Sequence, residues 1–83
     1  MTTAQLKADK KKRENRTTLI RAEIAFYTEK QGCHIEDLAN EIGISRASLY
    51  NRMKNSDTFS FGEFRKLCSI LRLNEETMLN LVA

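Results

Sequence analysis

An all-α fold of five helices is predicted for this 83-residue chain, and two observations predict it. Apolar residues recur at three- and four-residue steps wherever the chain has a pattern, and no stretch shows the alternation of a half-buried strand. Capping residues such as Ser45, Ser60 and Asn74 stand in front of those stretches, and Gly32 and Gly43 stand behind two of them. The chain is long enough for only a modest core, and no proline or tryptophan is available to stiffen it. A hydrophobic share of 41% fits one small globular domain, and its apolar runs are too short for a membrane span.

Taken in order, residues 1–14 read as a basic N-terminal arm, flexible or a helical extension, and residues 15–83 as the folded domain. The first helix is expected to start between Asn15 and Thr18. Ile20, Ile24 and Tyr27 form its inward face with Leu19 and Phe26 beside them, and Gly32 ends it. A second helix runs from Ile35 to Ile42, with Glu36 and Asp37 in the first turn, where carboxylates suit the positive end of the helix dipole. Leu38, Ala39 and Ile42 share one face of it. Gly43 then supplies a left-handed backbone for an abrupt stop, and Ile44 plugs the corner. Ala39 is small because two helices joined by a short turn cross closely there.

Ser45 caps a third helix, about Arg46 to Asn55, with Leu49 and Met53 pointing inward four residues apart. The pattern from Ile35 to Lys54 is therefore a helix-turn-helix. After a turn cluster at Asn55-Ser56-Asp57-Thr58, Ser60 and Glu63 have capping-box spacing and open a fourth helix. Its buried side is expected to be Phe61, Phe64, Leu67, Cys68 and Leu71. Asn74 caps a short fifth helix with Glu75 and Glu76 in its first turn.

The net charge of +3 is unevenly placed. Residues 1–16 hold six basic and two acidic residues, whereas the rest holds eight basic and nine acidic. Within the domain, the segment from Arg46 to Lys54 carries three positive charges and no acid. Positive charge thus collects on the arm and on the third helix, which suits a polyanion such as a phosphate backbone.

Residues 19–82 resemble the helix-turn-helix domain of phage repressors and Cro proteins, the XRE-like group. The resemblance rests on Leu38-Ala39, Ile42-Gly43-Ile44-Ser45 and Leu49, and on the apolar spacing of Phe61, Phe64, Leu67, Cys68, Leu71 and Leu73 in the following helix. It implies a five-helix lambda-repressor-like bundle whose third helix enters the major groove. The implied base-contacting residues are Arg46, Ala47 and Asn51, with Tyr50 beside them. Three features depart from the family pattern: Ile35 replaces a common glutamine, His34 a capping Ser or Thr, and Arg52-Met53 the commoner apolar-then-acidic pair.

Side-chain chemistry agrees with those roles. Arg46 offers a planar donor fork for guanine O6 and N7, Asn51 can pair with adenine N6 and N7, and Ala47 can pack on a thymine methyl. Ser45, Ser48, Arg52, Lys54 and Asn55 are expected at phosphates, joined from the arm by Arg13 and Arg16. One such motif reads one half-site, so a homodimer is expected, with Ile70, Leu79 and Val82 at its interface and Met78 and Leu81 facing the core.

Other chemistries find no support in the residue pattern. Cys33, His34 and Cys68 lack the paired Cys-x-x-Cys spacing of a structural zinc site, and no nucleophile, base or glycine-rich phosphate loop is arranged for catalysis. The expectation is therefore a non-enzymatic transcriptional regulator that binds a double-stranded DNA operator, with no metal, cofactor or small-molecule substrate. Its mode would be repression by promoter occupancy, and its location the cytoplasm, since the N-terminus lacks the apolar segment of a secretory signal. A Fis-like DNA-binding module and a protein-interaction or inhibitor module on the same scaffold are the alternatives.

Overall fold

The N-terminal helix is much longer than the apolar pattern suggests. In the computed structural model, which describes the backbone of residues 3–82 and the side chains of residues 14–81, α1 spans Thr3–Gln31 without a break. Its start lies well before the expected window of Asn15 to Thr18. Apolar spacing marks where a helix is buried, and residues 3–13 are almost wholly polar, so the pattern missed them. Their composition still favours a helix. Between Thr3 and Gln31 there is no Gly or Pro, Ala, Leu, Lys, Arg, Gln and Glu predominate, and Lys10 precedes Glu14 at four-residue spacing. The basic arm is thus continuous with the first helix.

The remaining elements are α2 (Ile35–Ile42), α3 (Arg46–Lys54), a single 3-10 turn (Ser56–Thr58), α4 (Phe61–Leu71) and α5 (Glu75–Val82). Their ends are set by the local chemistry read in the sequence. Gly32 adopts φ 65° behind α1. At α2 the reciprocal half of a cap is made, the His34 N–H donating to the Asp37 carboxylate at 2.9 Å. Ser60 and Glu63 complete both arms of their capping box at 3.1 Å each. The Asn74 side chain accepts from the Thr77 N–H at 2.7 Å in front of α5.

Ile20, Ile24, Leu38, Ala39, Ile42, Leu49, Leu67 and Leu81 form the buried core, one or more from every helix. The C-terminal half of α1 packs against α3, α4, α5 and the 3-10 turn, while α2 packs on α3 and α4. One buried contact is polar. The Thr17 and Ser56 hydroxyls lie 3.0 Å apart, and the Ser56 N–H donates to Thr17 Oγ1 at 3.1 Å. Each polar group inside that joint has a partner, so burying it carries little penalty.

Two apolar expectations do not hold. Phe61 is 78% exposed and Met78 40%, whereas Leu81, the other residue expected inward on α5, is sealed in the core; Leu19 and Phe26, beside the inward face of α1, are exposed. Phe61 is the first residue of α4, well before its buried pair Leu67 and Cys68, and its ring lies beside the Arg65 guanidinium, 5.9 Å from the ring centre. Met78 lies about 60° around α5 from Leu81, enough to place it at the margin of the buried stripe.

Candidate nucleic-acid interface

Two short helices set the geometry of the site. Leu38, Ala39 and Ile42 bury one face of α2. Gly43 then turns the chain at φ 89°, its N–H reaching back to the carbonyls of Ala39 and Asn40 at 2.9 and 3.1 Å. Ile44 packs against the core at the corner. Ser45 caps α3, its Oγ accepting from the Ser48 N–H at 3.0 Å and bonding the Ser48 hydroxyl at 2.8 Å. Leu49 is fully buried and Met53 half-buried beneath it. With these two residues turned inward, helix geometry sends Arg46, Ala47, Tyr50, Asn51 and Lys54 outward, and all five are exposed.

The four expected base-reading residues therefore share one open face. The Arg46 guanidinium lies over the Tyr50 ring, 5.6 Å from its centre. Such cation–aromatic contacts contribute about 0.5–1 kcal/mol at exposed sites and restrict the arginine before any ligand arrives.

The expected phosphate residues divide into three groups. Lys54 stands exposed at the end of α3. Ser45, Ser48 and Asn55 have side chains already used locally, the first two in the cap and Asn55 in accepting from the Asp57 N–H at 3.1 Å. Arg16 and Arg52 are ion-paired. Arg16 meets Asp57 at 3.0 Å, which brings α1 beside the C-terminal end of α3. Arg52 bonds Glu63 of α4 through Nε at 2.6 Å and through its second terminal nitrogen at 3.4 Å, while its other terminal nitrogen donates to the Ser48 carbonyl at 3.1 Å. The side chains of Arg13 and Val82 lie outside the described residues.

The hydrogen bond from Arg52 holds the Glu63 carboxyl below the usual carboxylate range, with the Ser60 N–H acting in the same direction. That ion pair and the Thr17–Ser56 joint, like the Arg16–Asp57 pair, are contacts that sequence spacing did not reveal. The first joins residues on different helices, and the second joins residues 39 apart. Thr17 was partly legible, standing three residues before Ile20 and seven before Ile24 on the same helical face.

Among the described residues, no three His, Cys, Asp or Glu side chains come together as a metal site. Burial pushes the Cys68 thiol up, away from the thiolate form that would react or ligate. Among the same residues, no helix is long and apolar enough to cross a membrane.

No curated protein and no solved structure matches the chain. A family model does match: the Cro/C1-type HTH DNA-binding domain, over residues 27–83. That span runs from the last turns of α1 through the two-helix motif to the end of α5, and it takes in most of the chain. With Gly43 at the corner, Leu49 inward and Arg46, Ala47, Tyr50, Asn51 and Lys54 outward, the chain belongs to the Cro/C1-type helix-turn-helix DNA-binding family.

Proposed function

We propose that this protein is a sequence-specific transcriptional regulator that binds a double-stranded DNA operator as a homodimer and represses by occupying a promoter. The observation that carries this reading is the exposed row Arg46, Ala47, Tyr50, Asn51 and Lys54 on a helix whose opposite side is locked by Leu49. An exposed helix face of this kind fits the major groove, where donor and acceptor patterns differ for every base pair. Arg46, Ala47 and Asn51 read bases with Tyr50 alongside. Ser45, Ser48, Lys54 and Asn55 approach phosphates with Arg13 and Arg16, and the bundle as a whole is lambda-repressor-like. Selecting bound fragments from a pool of random duplexes tests this directly. Recovery of a two-fold-symmetric motif with half-sites about one helical turn apart is expected. A pool that stays random after repeated rounds, or binding that ignores salt, rejects the reading.

The arm is assigned a supporting role. Continued helix through residues 3–13 carries the basic cluster outward from the Arg16–Asp57 contact, near the Lys54 end of α3. Deleting residues 1–14 is expected to leave the melting temperature almost unchanged while lowering DNA affinity, most strongly at low salt. Unchanged affinity of the truncated chain at low salt removes the arm from the interface.

Dimerisation is assigned to the α5 side. Leu79 is 58% exposed although Leu81, two residues later, is buried. Ile70 is half-buried against the core and offers an edge of the same apolar character. Replacing Leu79 and Val82 together by Glu should give a folded monomer with much weaker operator binding, read by sedimentation and by titration of a two-half-site duplex. A wild-type chain that is monomeric at high micromolar concentration with and without DNA excludes this interface.

A further inference from the structure

Arg52 stands on the DNA-facing helix, yet its guanidinium is held between α3 and α4. Both Glu63 oxygens face it, at 2.6 and 3.4 Å, and its remaining terminal nitrogen is tied to the Ser48 carbonyl of its own helix. Glu63 is fixed in turn, because the same Oε1 accepts the Ser60 N–H at 3.1 Å in the capping box of α4. Both side chains are largely shielded, 24% and 19% exposed, so the pair is screened by salt far less than a surface bridge. Around the axis of α3, Arg52 flanks the Leu49 side, whereas Ala47, Asn51 and Lys54 occupy the opposite face.

An arginine is a strong phosphate ligand, and phosphate contacts raise affinity for every sequence alike. Resting on the DNA-binding reading above, we infer that Glu63 is a specificity-determining positioning residue: it captures Arg52 as a brace between α3 and α4 and so withholds from DNA a sequence-blind cation. Specificity is a ratio of affinities, and keeping one cation off the backbone lowers the background against which the Arg46 and Asn51 contacts act.

The experiment uses the full chain, its selected operator and a random-sequence duplex, titrated across a salt series for the wild type, Glu63→Gln, Arg52→Met and the double variant. Glutamine keeps the capping geometry of α4 while removing the charge that holds Arg52. Glu63→Gln should bind the random duplex about eightfold more tightly near 0.1 M monovalent salt, with a salt slope steeper by about 0.9, as one added phosphate contact requires. Operator affinity should rise less, so the specificity ratio falls. Arg52→Met should leave the salt slope on random DNA at the wild-type value. In the double variant the Glu63→Gln gain should vanish, which separates the release of Arg52 from the mere loss of an acidic charge.

Circular dichroism melts identify any variant that fails to fold, and Arg52→Met decides the question even if Glu63→Gln does not fold. A slope flattened by about one in Arg52→Met means that Arg52 already touches phosphate, and the inference is overturned. It is equally overturned if a folded Glu63→Gln keeps the wild-type slope and specificity ratio. A wild-type chain that binds no duplex in a salt-dependent way overturns the DNA-binding reading itself, a separate failure visible before any variant is compared.

Discussion

Leu49→Ala should destabilise the domain by about 2–5 kcal/mol, the range for truncating a fully buried leucine in a core that cannot collapse around the gap. Leu49 has no exposed surface and lies under the middle of α3. The total stability of a domain of this size is about 4–12 kcal/mol, so the loss takes a large part of it. A drop in melting temperature on the order of 10 °C or more is expected in a thermal scan. The functional loss should exceed the stability loss, because Leu49 and the half-buried Met53 are the inward anchors of the helix that carries Arg46 and Asn51. Phe26→Ala provides the contrast, since an exposed side chain outside the proposed interfaces falls within about 0.5 kcal/mol. A Leu49→Ala protein melting within a degree or two of wild type would contradict the packing described for α3.

The second large effect concerns the outward face. Arg46→Ala and Asn51→Ala should each cost about 1–3 kcal/mol on the selected operator and relax the preference at one base pair. Tyr50→Ala should weaken part of the Arg46 contribution, since the ring lies 5.6 Å from the guanidinium and limits where it can swing. Lys54→Ala should behave differently, lowering affinity for operator and random duplex alike and flattening the salt slope by about 0.9. Titrations on the operator and on single-base variants separate the two patterns. Equal, sequence-blind losses at Arg46, Asn51 and Lys54 would remove the division between reading and positioning residues.

What the sequence disclosed and what it hid follow from the range of each interaction. The caps at Ser45, Ser60 and Asn74 and the turn at Gly43 involve residues within four positions of one another, so residue type and spacing suffice to place them. The inward faces of α2 and α3 were equally plain, since Leu38, Ala39, Ile42 and Leu49 keep helical spacing and are all buried. The start of α1 was hidden because polar residues form a helix as readily as apolar ones when nothing breaks it. Phe61 shows that spacing assigns a face to a residue without fixing how deeply the end of a helix is buried. The partner of Arg52 is the contact at the candidate site that spacing could not show. A basic residue on a helix read as DNA-facing suggests phosphate, and only the approach of α4 brings Glu63 within reach.

The separation of the two faces of α3 has a consequence for how such a protein can change over generations. Ala47 and Asn51 take no part in the core, and Arg46 touches Tyr50 on the same outer surface. Substitutions at these positions leave Leu49, the Ser45 cap and the Arg52–Glu63 brace as they are. The residues proposed to read an operator can therefore be exchanged without drawing on the narrow margin of stability that a small domain has. A lineage carrying this scaffold could acquire a new target by altering three or so exposed side chains, and two copies in one cell could diverge in address while keeping the same body.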